Sequence, residues 1–139
     1  MAVVIDLFSR QVVGWSIDDH IRTSLCVNAL QMGKPDPGLL HHSDRGSQYV
    51  SKEYRQHLGI MKMQQRLSRK GNCWDNAPAE RFFRSLKHEQ INYERFKTKE
   101  SANLSIIDYL AFYNGKRMHS KLGYQSPLEY ERKFYKESA

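Results

Sequence analysis

The spacing of apolar positions predicts short strands near the start of the chain. Ala2–Asp6 and Val12–Ile17 are runs rich in β-branched residues, and the five residues between them suit a hairpin connection. Thr23 or Ser24 is a candidate N-cap for a helix that continues to about Met32. The proline- and glycine-rich segment that follows ends this helix.

The middle of the chain alternates between strand and helix patterns. Leu39–Ser43 and Ile60–Leu67 have the composition of short strands, and Ser51–Leu58 lies between them with the spacing of a small helix. Asp44–Ser47 forms the loop that leaves the earlier of these strands. Ser68–Asn76 is rich in polar residues and glycine and is predicted to be a loop.

The last part of the chain is predicted to be helical. Asn76 is a candidate N-cap with Pro78 in the first turn, and Ser126 to Glu129 has the pattern of a capping box. The predicted helices run from about Ala77 to Ile91, from Thr98 or Ser101 to about Gly115, and from Pro127 onwards. The whole order predicts one mixed α/β domain.

Charge is distributed unevenly in this chain of 139 residues, which has a net charge of +7. Residues 1–44 hold three Lys/Arg and five Asp/Glu, whereas residues 45–139 hold nineteen and ten. A basic C-terminal part that also contains aromatic residues indicates a polyanionic partner, with nucleic acid favoured over a membrane surface. The alternative is a soluble protein that is merely basic. No signal peptide or long apolar run is evident, so a reducing cytoplasm is expected.

Two carboxylates are candidates for metal-dependent phosphodiester chemistry. Asp44 follows a predicted strand, a common position for functional groups in α/β sheets, and Glu80 opens a predicted helix. Mg²⁺ prefers oxygen ligands, so carboxylates from separate elements suit it. Arg84 and Lys87 follow Glu80 at helical spacing and share its face, beside which a phosphate backbone could lie. The alternative is an ordinary helix-stabilising pair between Glu80 and Arg84.

The opposite face of this helix is predicted to point into the core and carries Phe82, Phe83 and Leu86. Before the helix lies a basic cluster of Arg66, Arg69 and Lys70, for which DNA contact is favoured over a solvated loop. Trp74 either stacks on a base or fixes its loop by packing. The aromatic residues Tyr109, Phe112 and Tyr113 are interpreted as packing residues. The histidines and the two cysteines lack a zinc-binding spacing.

Three segments carry a resemblance to a known family: His42–Tyr49, Ser68–Lys87 and Tyr113–Pro127. They resemble the second-frame (OrfB) catalytic part of bacterial insertion-sequence transposases, within the retroviral-integrase superfamily. The similarity extends from Val3 to about Tyr130. Because three long motifs occur in the family's order, the resemblance is specific.

The resemblance implies a ribonuclease-H-like mixed sheet with flanking helices, forming a single core over residues 1–139 with a helical extension from about residue 98. The family signature is an Asp, Asp, Glu triad with 35 residues between its last two members, which Asp44 and Glu80 match. Lys87 corresponds to a DNA-contacting basic residue. The implied activity is DNA transposition by cleavage and strand transfer with Mg²⁺ or Mn²⁺. The implied location is the bacterial cytoplasm at the nucleoid.

The chain departs from the family pattern at the first catalytic Asp, which the family places on a central strand upstream of the segment resembling Val3–Ser9. We therefore expect an incomplete and inactive core. Asp6 is interpreted as a strand-end or turn residue rather than as a replacement ligand. The strands beside the missing one are expected to pair directly, to associate between copies, or to be unstable. The rival hypothesis is a noncatalytic fragment that binds DNA or a full-length transposase.

Overall fold

The computed structural model describes residues 1–68 and 76–139, and these form two compact units. The first unit contains residues 1–4 and 13–79, and the second contains residues 5–12 and 80–139. The strands are β1 (Ala2–Ile5), β2 (Val12–Ser16), β3 (Leu40–Ser43) and β4 (Gln64–Leu67). The α-helices are α1 (Thr23–Met32), α2 (Ser47–Val50), α3 (Lys52–Ile60), α4 (Ala77–Glu89), α5 (Lys99–Gly115) and α6 (Pro127–Ser138). Short 3₁₀ turns occupy Ile91–Tyr93 and Ser120–Leu122.

The described strands form two separate two-stranded sheets. β1 pairs with β2, and β3 pairs with β4 in parallel, with Leu40 opposite Gln64 and Ser43 opposite Leu67. Parallel neighbours need a crossover, which α2 and α3 supply here. One expectation was that the strands beside the expected gap in the sheet would pair directly. Among the described strands, neither β1 nor β2 pairs with β3 or β4.

The core of the first unit is built around α1. Leu25, Ala29 and Leu30 are almost completely buried and pack with Tyr54 and Leu58 of α3. β2 lies so close to α1 that a side chain at Gly14 would overlap the Ala29 carbonyl oxygen. β2 therefore needs glycine at position 14 for steric reasons.

The core of the second unit is aromatic. Phe82 of α4 is fully buried and meets the Tyr113 ring edge-on, with ring centroids 5.0 Å apart. Phe8, in the loop between β1 and β2, packs against Phe134 of α6 with centroids 4.7 Å apart. Edge-to-face pairs of this kind contribute about 0.5–1.5 kcal/mol beyond the burial of their area.

The helix starts were predicted with mixed success. Ser126 caps α6 through a full capping box with Glu129, and Thr98 caps α5 in the same way with Ser101. The expectation that Thr23 or Ser24 caps α1 is wrong, because the N-cap is Arg22, which makes no side-chain capping bond. Thr23 is the first residue of α1, and Ser24 is the second.

Two other expectations need correction. Phe83 does not face the core, since its side chain is 38% exposed, and Phe112 is 43% exposed. Phe82 and Leu86 are four residues apart and share the buried face, whereas Phe83 is rotated by about 100° from Phe82. None of the described helices is long and apolar enough to cross a membrane.

Candidate functional site

Asp44 lies in the first unit, immediately after β3, and its side chain is exposed. Its Oδ1 accepts a hydrogen bond from the Gly46 backbone N–H at 2.7 Å. A side chain at Gly46 would come within 2.8 Å of that same oxygen, so glycine keeps the turn open beside the carboxylate. The turn fixes one oxygen of Asp44, and no hydrogen bond to its other oxygen occurs within the described residues.

Glu80 lies in the second unit, in the first turn of α4. Its side chain is exposed, as are those of Arg84 and Lys87, which follow at helical spacing. No ion pair joins Glu80 to Arg84 among the described residues, so the ordinary stabilising pair considered as the alternative is not formed there. The helix therefore presents one carboxylate and two cations to solvent along one face.

Ser68 is a buried residue that joins the end of β3 to the residue before α4. Its Oγ lies 3.0 Å from the Ser43 carbonyl oxygen, 3.0 Å from Asn76 Oδ1 and 3.1 Å from His42 Nε2. The Ser68 carbonyl oxygen also accepts a hydrogen bond from Arg45 Nε at 2.9 Å. Three residues of the first motif therefore depend on one serine for their position.

His41 and His42 are neighbours on β3, so their side chains point to opposite faces, and they have different partners. His41 Nε2 lies 3.0 Å from the hydroxyl of Tyr54, which is 1% exposed on α3. Burial, followed by the neighbouring His42, lowers the pKa of His41 from 6.5 to about 4. His41 is therefore neutral at physiological pH and serves to hold α3 against β3.

Asp6 is a turn residue, as the sequence indicated. Its Oδ2 accepts hydrogen bonds from the Ser9 backbone N–H at 2.8 Å and from the Ser9 hydroxyl at 2.6 Å, and its Oδ1 accepts from the Phe8 N–H at 3.4 Å. Ser9 itself is fully buried. Because both carboxylate oxygens already have partners in the turn, Asp6 is poorly suited to ligating a metal.

The basic cluster is only partly described. Arg66 lies on β4 with its side chain exposed, opposite His42 in the register. Arg69, Lys70 and Trp74 lie outside the described residues. Within residues 1–68 and 76–139 no group of three or more His, Cys, Asp or Glu residues is arranged to hold a metal ion.

Sequence reasoning missed the contacts made by the third motif. Arg117 binds Glu89, the last residue of α4, through Nε at 2.7 Å and Nη2 at 2.6 Å. Asn114 pairs with the backbone of Val12, donating to its carbonyl oxygen and accepting from its N–H, both at 2.9 Å. The residues stood in the motif, but their partners lie 28 and 102 positions away, and no local pattern marks such pairs.

Comparisons with known proteins agree with this fold. Residues 1–73 match one family model described as an integrase core domain, and residues 61–127 match a second model of that description. The chain is 43% identical over 137 residues to the transposase for insertion sequence element IS904 of Lactococcus lactis, covering 95% of the chain and 54% of that protein. It is 41% identical to transposase InsF for insertion sequence IS3A of Escherichia coli K12, covering 96% and 48%.

Two solved structures that match this fold contain retroviral integrase-type proteins. The catalytic core domain of bovine immunodeficiency virus (BIV) integrase superimposes with a TM-score of 0.62 at 18% identity, covering 94% of this chain and 86% of that one. A simian T-cell lymphotropic virus intasome chain gives a TM-score of 0.70 at 17% identity, covering 84% and 42%. The chain spans about half the length of the curated relatives that it matches.

Proposed function

Since this chain belongs to the integrase core family and, within it, to the insertion-sequence transposases, we propose that it handles DNA during transposition by metal-dependent phosphodiester cleavage and strand transfer. Asp44 and Glu80 would be the acidic ligands of a Mg²⁺ or Mn²⁺ ion. The observation that carries this proposal is that both carboxylates are exposed and have no ion-pair partner among the described residues. We propose further that both units belong to one integrase-type core.

The donor set fits a hard divalent cation. Carboxylate oxygens on separate elements are the ligands that Mg²⁺ takes while it keeps several waters. When bound, such a cation activates the attacking oxygen and stabilises charge on the phosphodiester. Asp44 is held by the Gly46 N–H, and Glu80 lies in the first turn of α4, at the positive end of the helix dipole.

The basic side chains would position the DNA backbone. Arg84 and Lys87 are exposed on the face of α4 that carries Glu80, and Arg66 is exposed on β4. Arg69 and Lys70 are proposed to take part because they follow directly after Ser68. Contacts of this kind bind phosphates without reading sequence, so binding should weaken steeply as salt increases.

A second candidate function is a noncatalytic module that binds DNA or associates with another copy or a full-length transposase. The hydrogen bonds of Asp6 favour it, because they engage the acidic residue next to β1 in a turn. In the described parts of the three motifs, the acidic residues that remain as candidate ligands are Asp44 and Glu80. In this form the chain alone would bind DNA without cutting it.

The test is Mn²⁺-dependent nicking and strand transfer on labelled duplex DNA. The wild-type chain is compared with Asp44→Asn and Glu80→Gln, and with Asp36→Asn as a matched control on an exposed loop. Activity that both site variants lose and the control keeps would support catalysis. Salt-sensitive binding without activity in any variant would favour the noncatalytic module, and absence of both would contradict the proposed function.

Metal binding is tested separately from activity. Mn²⁺ is expected to raise the melting temperature of the wild-type chain, because a ligand that binds only the folded state stabilises it. The increase should be smaller in Asp44→Asn and in Glu80→Gln and unchanged in Asp36→Asn. Equal increases in all four proteins would remove Asp44 and Glu80 from the metal site.

A further inference from the structure

The segment between α5 and α6, residues 116–125, forms a well-defined loop in the second unit, which we name the basic loop. Arg117 fixes its beginning through the ion pair with Glu89, and Leu122 is buried at its centre. The backbones of His119 and Gln125 pair across it, with the Gln125 carbonyl oxygen accepting from the His119 N–H at 3.1 Å. These contacts fix the path of the loop within the second unit.

Tyr124 has an unfavourable backbone conformation in this loop. Its φ is +60°, and it follows Gly123, which is also left-handed at +65°. Bulky side chains rarely adopt this region, and such strain persists where the surrounding structure imposes it. Yet the Tyr124 side chain is 72% exposed, so burial of its ring does not compensate for the strain. A large aromatic ring is thus presented to solvent at a position that suits glycine or asparagine.

The charge around this ring is of one sign. Residues 115–128 contain no Asp or Glu. Lys116 and Lys121 are exposed and have no ion-pair partner within residues 1–68 and 76–139, whereas Arg117 is occupied by Glu89. Met118 is 66% exposed in the same loop. An exposed aromatic ring with lysines nearby in a fixed loop is the combination that binds single-stranded nucleic acid.

We propose that the basic loop binds single-stranded DNA, with Tyr124 stacking on a base and Lys116 and Lys121 contacting phosphates. The proposal rests on the proposed DNA-handling function. An unpaired strand is the ligand that fits, because its bases expose faces on which a ring can stack, whereas a continuous duplex keeps those faces covered. The unpaired nucleotides at a cleaved or frayed DNA end have this chemistry.

The main test uses Tyr124→Gly. A strained residue that stacks on DNA and a residue that packs within the protein predict opposite effects of this substitution on the melting temperature. Glycine relieves the left-handed strain, so we expect the melting temperature to rise by roughly 2–4 °C. Loss of stacking should weaken binding of a fluorescein-labelled oligothymidine about fivefold or more, measured by fluorescence anisotropy. Binding of a blunt duplex should change much less. Tyr93→Ala, which removes a tyrosine that is 81% exposed in the same unit, is the matched control.

The lysines are tested by salt dependence. Lys121→Ala should reduce the slope of log K against log salt for oligothymidine by about 0.7, the value for one phosphate contact on a single strand. Lys133→Ala is the control, because Lys133 is exposed on α6 and lies 3.9 Å from Glu137. An unchanged slope in Lys121→Ala would exclude the phosphate contact.

Four outcomes would overturn the proposal. If Tyr124→Gly binds oligothymidine as tightly as the wild type, the loop does not stack on DNA. If it binds less tightly and also melts at a lower temperature, Tyr124 is a packing residue. If single strand and duplex lose affinity equally, stacking on an unpaired base is wrong. If the wild-type chain binds neither oligothymidine nor duplex, the proposed function fails as well. The first three outcomes, by contrast, contradict only the role of the basic loop.

Discussion

Arg117 and Glu89 form a two-point ion pair between the residue two positions after α5 and the last residue of α4. Arg117 Nε and Nη2 contact both carboxylate oxygens, and Oε2 also accepts a hydrogen bond from the Tyr109 hydroxyl at 2.7 Å. The arrangement needs the planar guanidinium, which presents two parallel donors. Within the second unit, this ion pair connects the end of α4, the helix that carries Phe82, to the segment that follows α5.

Replacing Arg117 by lysine should therefore destabilise the protein although the charge is kept. An ammonium group cannot make both contacts, so we expect the free energy of unfolding to fall by about 1 kcal/mol. Urea denaturation measures the change. Lys133→Ala, which breaks the exposed pair with Glu137, should change it by less than about 0.5 kcal/mol. Equal effects of the two substitutions would contradict the importance of the geometry.

The same ion pair should become less important in acid. The hydrogen bonds from Arg117 lower the pKa of Glu89 below 4.5. A carboxyl group with a lowered folded-state pKa stabilises the protein above its unfolded-state pKa, and this contribution is lost as the pH falls through the folded-state pKa. The difference between wild type and Arg117→Lys should thus be full at neutral pH and shrink below pH 4.5. A constant difference in urea titrations across this range would be inconsistent with an ionic contact.

His41 should make the stability of the first unit depend on pH in a different range. Its pKa of about 4 in the folded state lies below the ordinary 6.5, so the unfolded chain binds the proton first. The free energy of unfolding should be constant above pH 6.5 and decline by on the order of 2 kcal/mol between pH 6.5 and 4. His41→Gln should flatten this decline, with His88→Gln, at an exposed position, as control. A wild-type profile that is flat in this range would contradict the buried neutral histidine.

Ser68→Ala should destabilise the end of β3 more than an ordinary buried serine substitution. It removes the hydroxyl that lies between Ser43, Asn76 and His42, and we expect a loss of about 1–3 kcal/mol. Ser105→Ala is the comparison, because Ser105 is similarly buried and its hydroxyl receives one hydrogen bond from Gln90. Hydrogen exchange of the amides in residues 42–46 should increase in Ser68→Ala alone. Equal exchange in both variants would mean that Ser68 does not position this segment.

Asp6→Asn distinguishes a turn residue from a metal ligand. Asparagine still accepts one or two of the hydrogen bonds from Ser9 and Phe8 but carries no charge, so we expect a loss of less than about 1 kcal/mol. The stabilisation by Mn²⁺ should equal that of the wild type. If the substitution abolished the Mn²⁺ effect, Asp6 would be a ligand and the interpretation as a turn residue would be wrong.

The elements of this fold were predictable where local patterns determine them. The capping boxes at Thr98 and Ser126 lie within four residues of sequence, so the starts of α5 and α6 could be predicted. The β-branched runs likewise located β1 and β2. The start of α1 could not be placed on a cap, because Arg22 takes that position without a side-chain bond.

The candidate site was predictable in its motif residues and not in the residues that support them. Asp44 and Glu80 became candidates from their places after a strand and at a helix start, and from the family spacing that they match; their role as metal ligands stays a prediction. Ser68 begins the second motif, but its supporting role was not predicted, because that role comes from partners on β3 and before α4 that only the folded chain brings together. The exposed side of Phe83 was missed because a run of apolar residues does not show which members of a helix face the core.

The reciprocal bonds between Asn114 and Val12 have a consequence for the order of folding. They close a loop of 102 residues, whereas the capping bonds of α5 and α6 span three. Closing a long loop costs more entropy, so the helices can form before the contact does. On the ribosome, where chains grow at roughly 5–20 residues per second, Val12 has to wait on the order of 5–20 seconds for Asn114 to be made. The start of β2 is thus synthesised 102 residues before the partner that it binds, and it is among the last parts of the fold to pair.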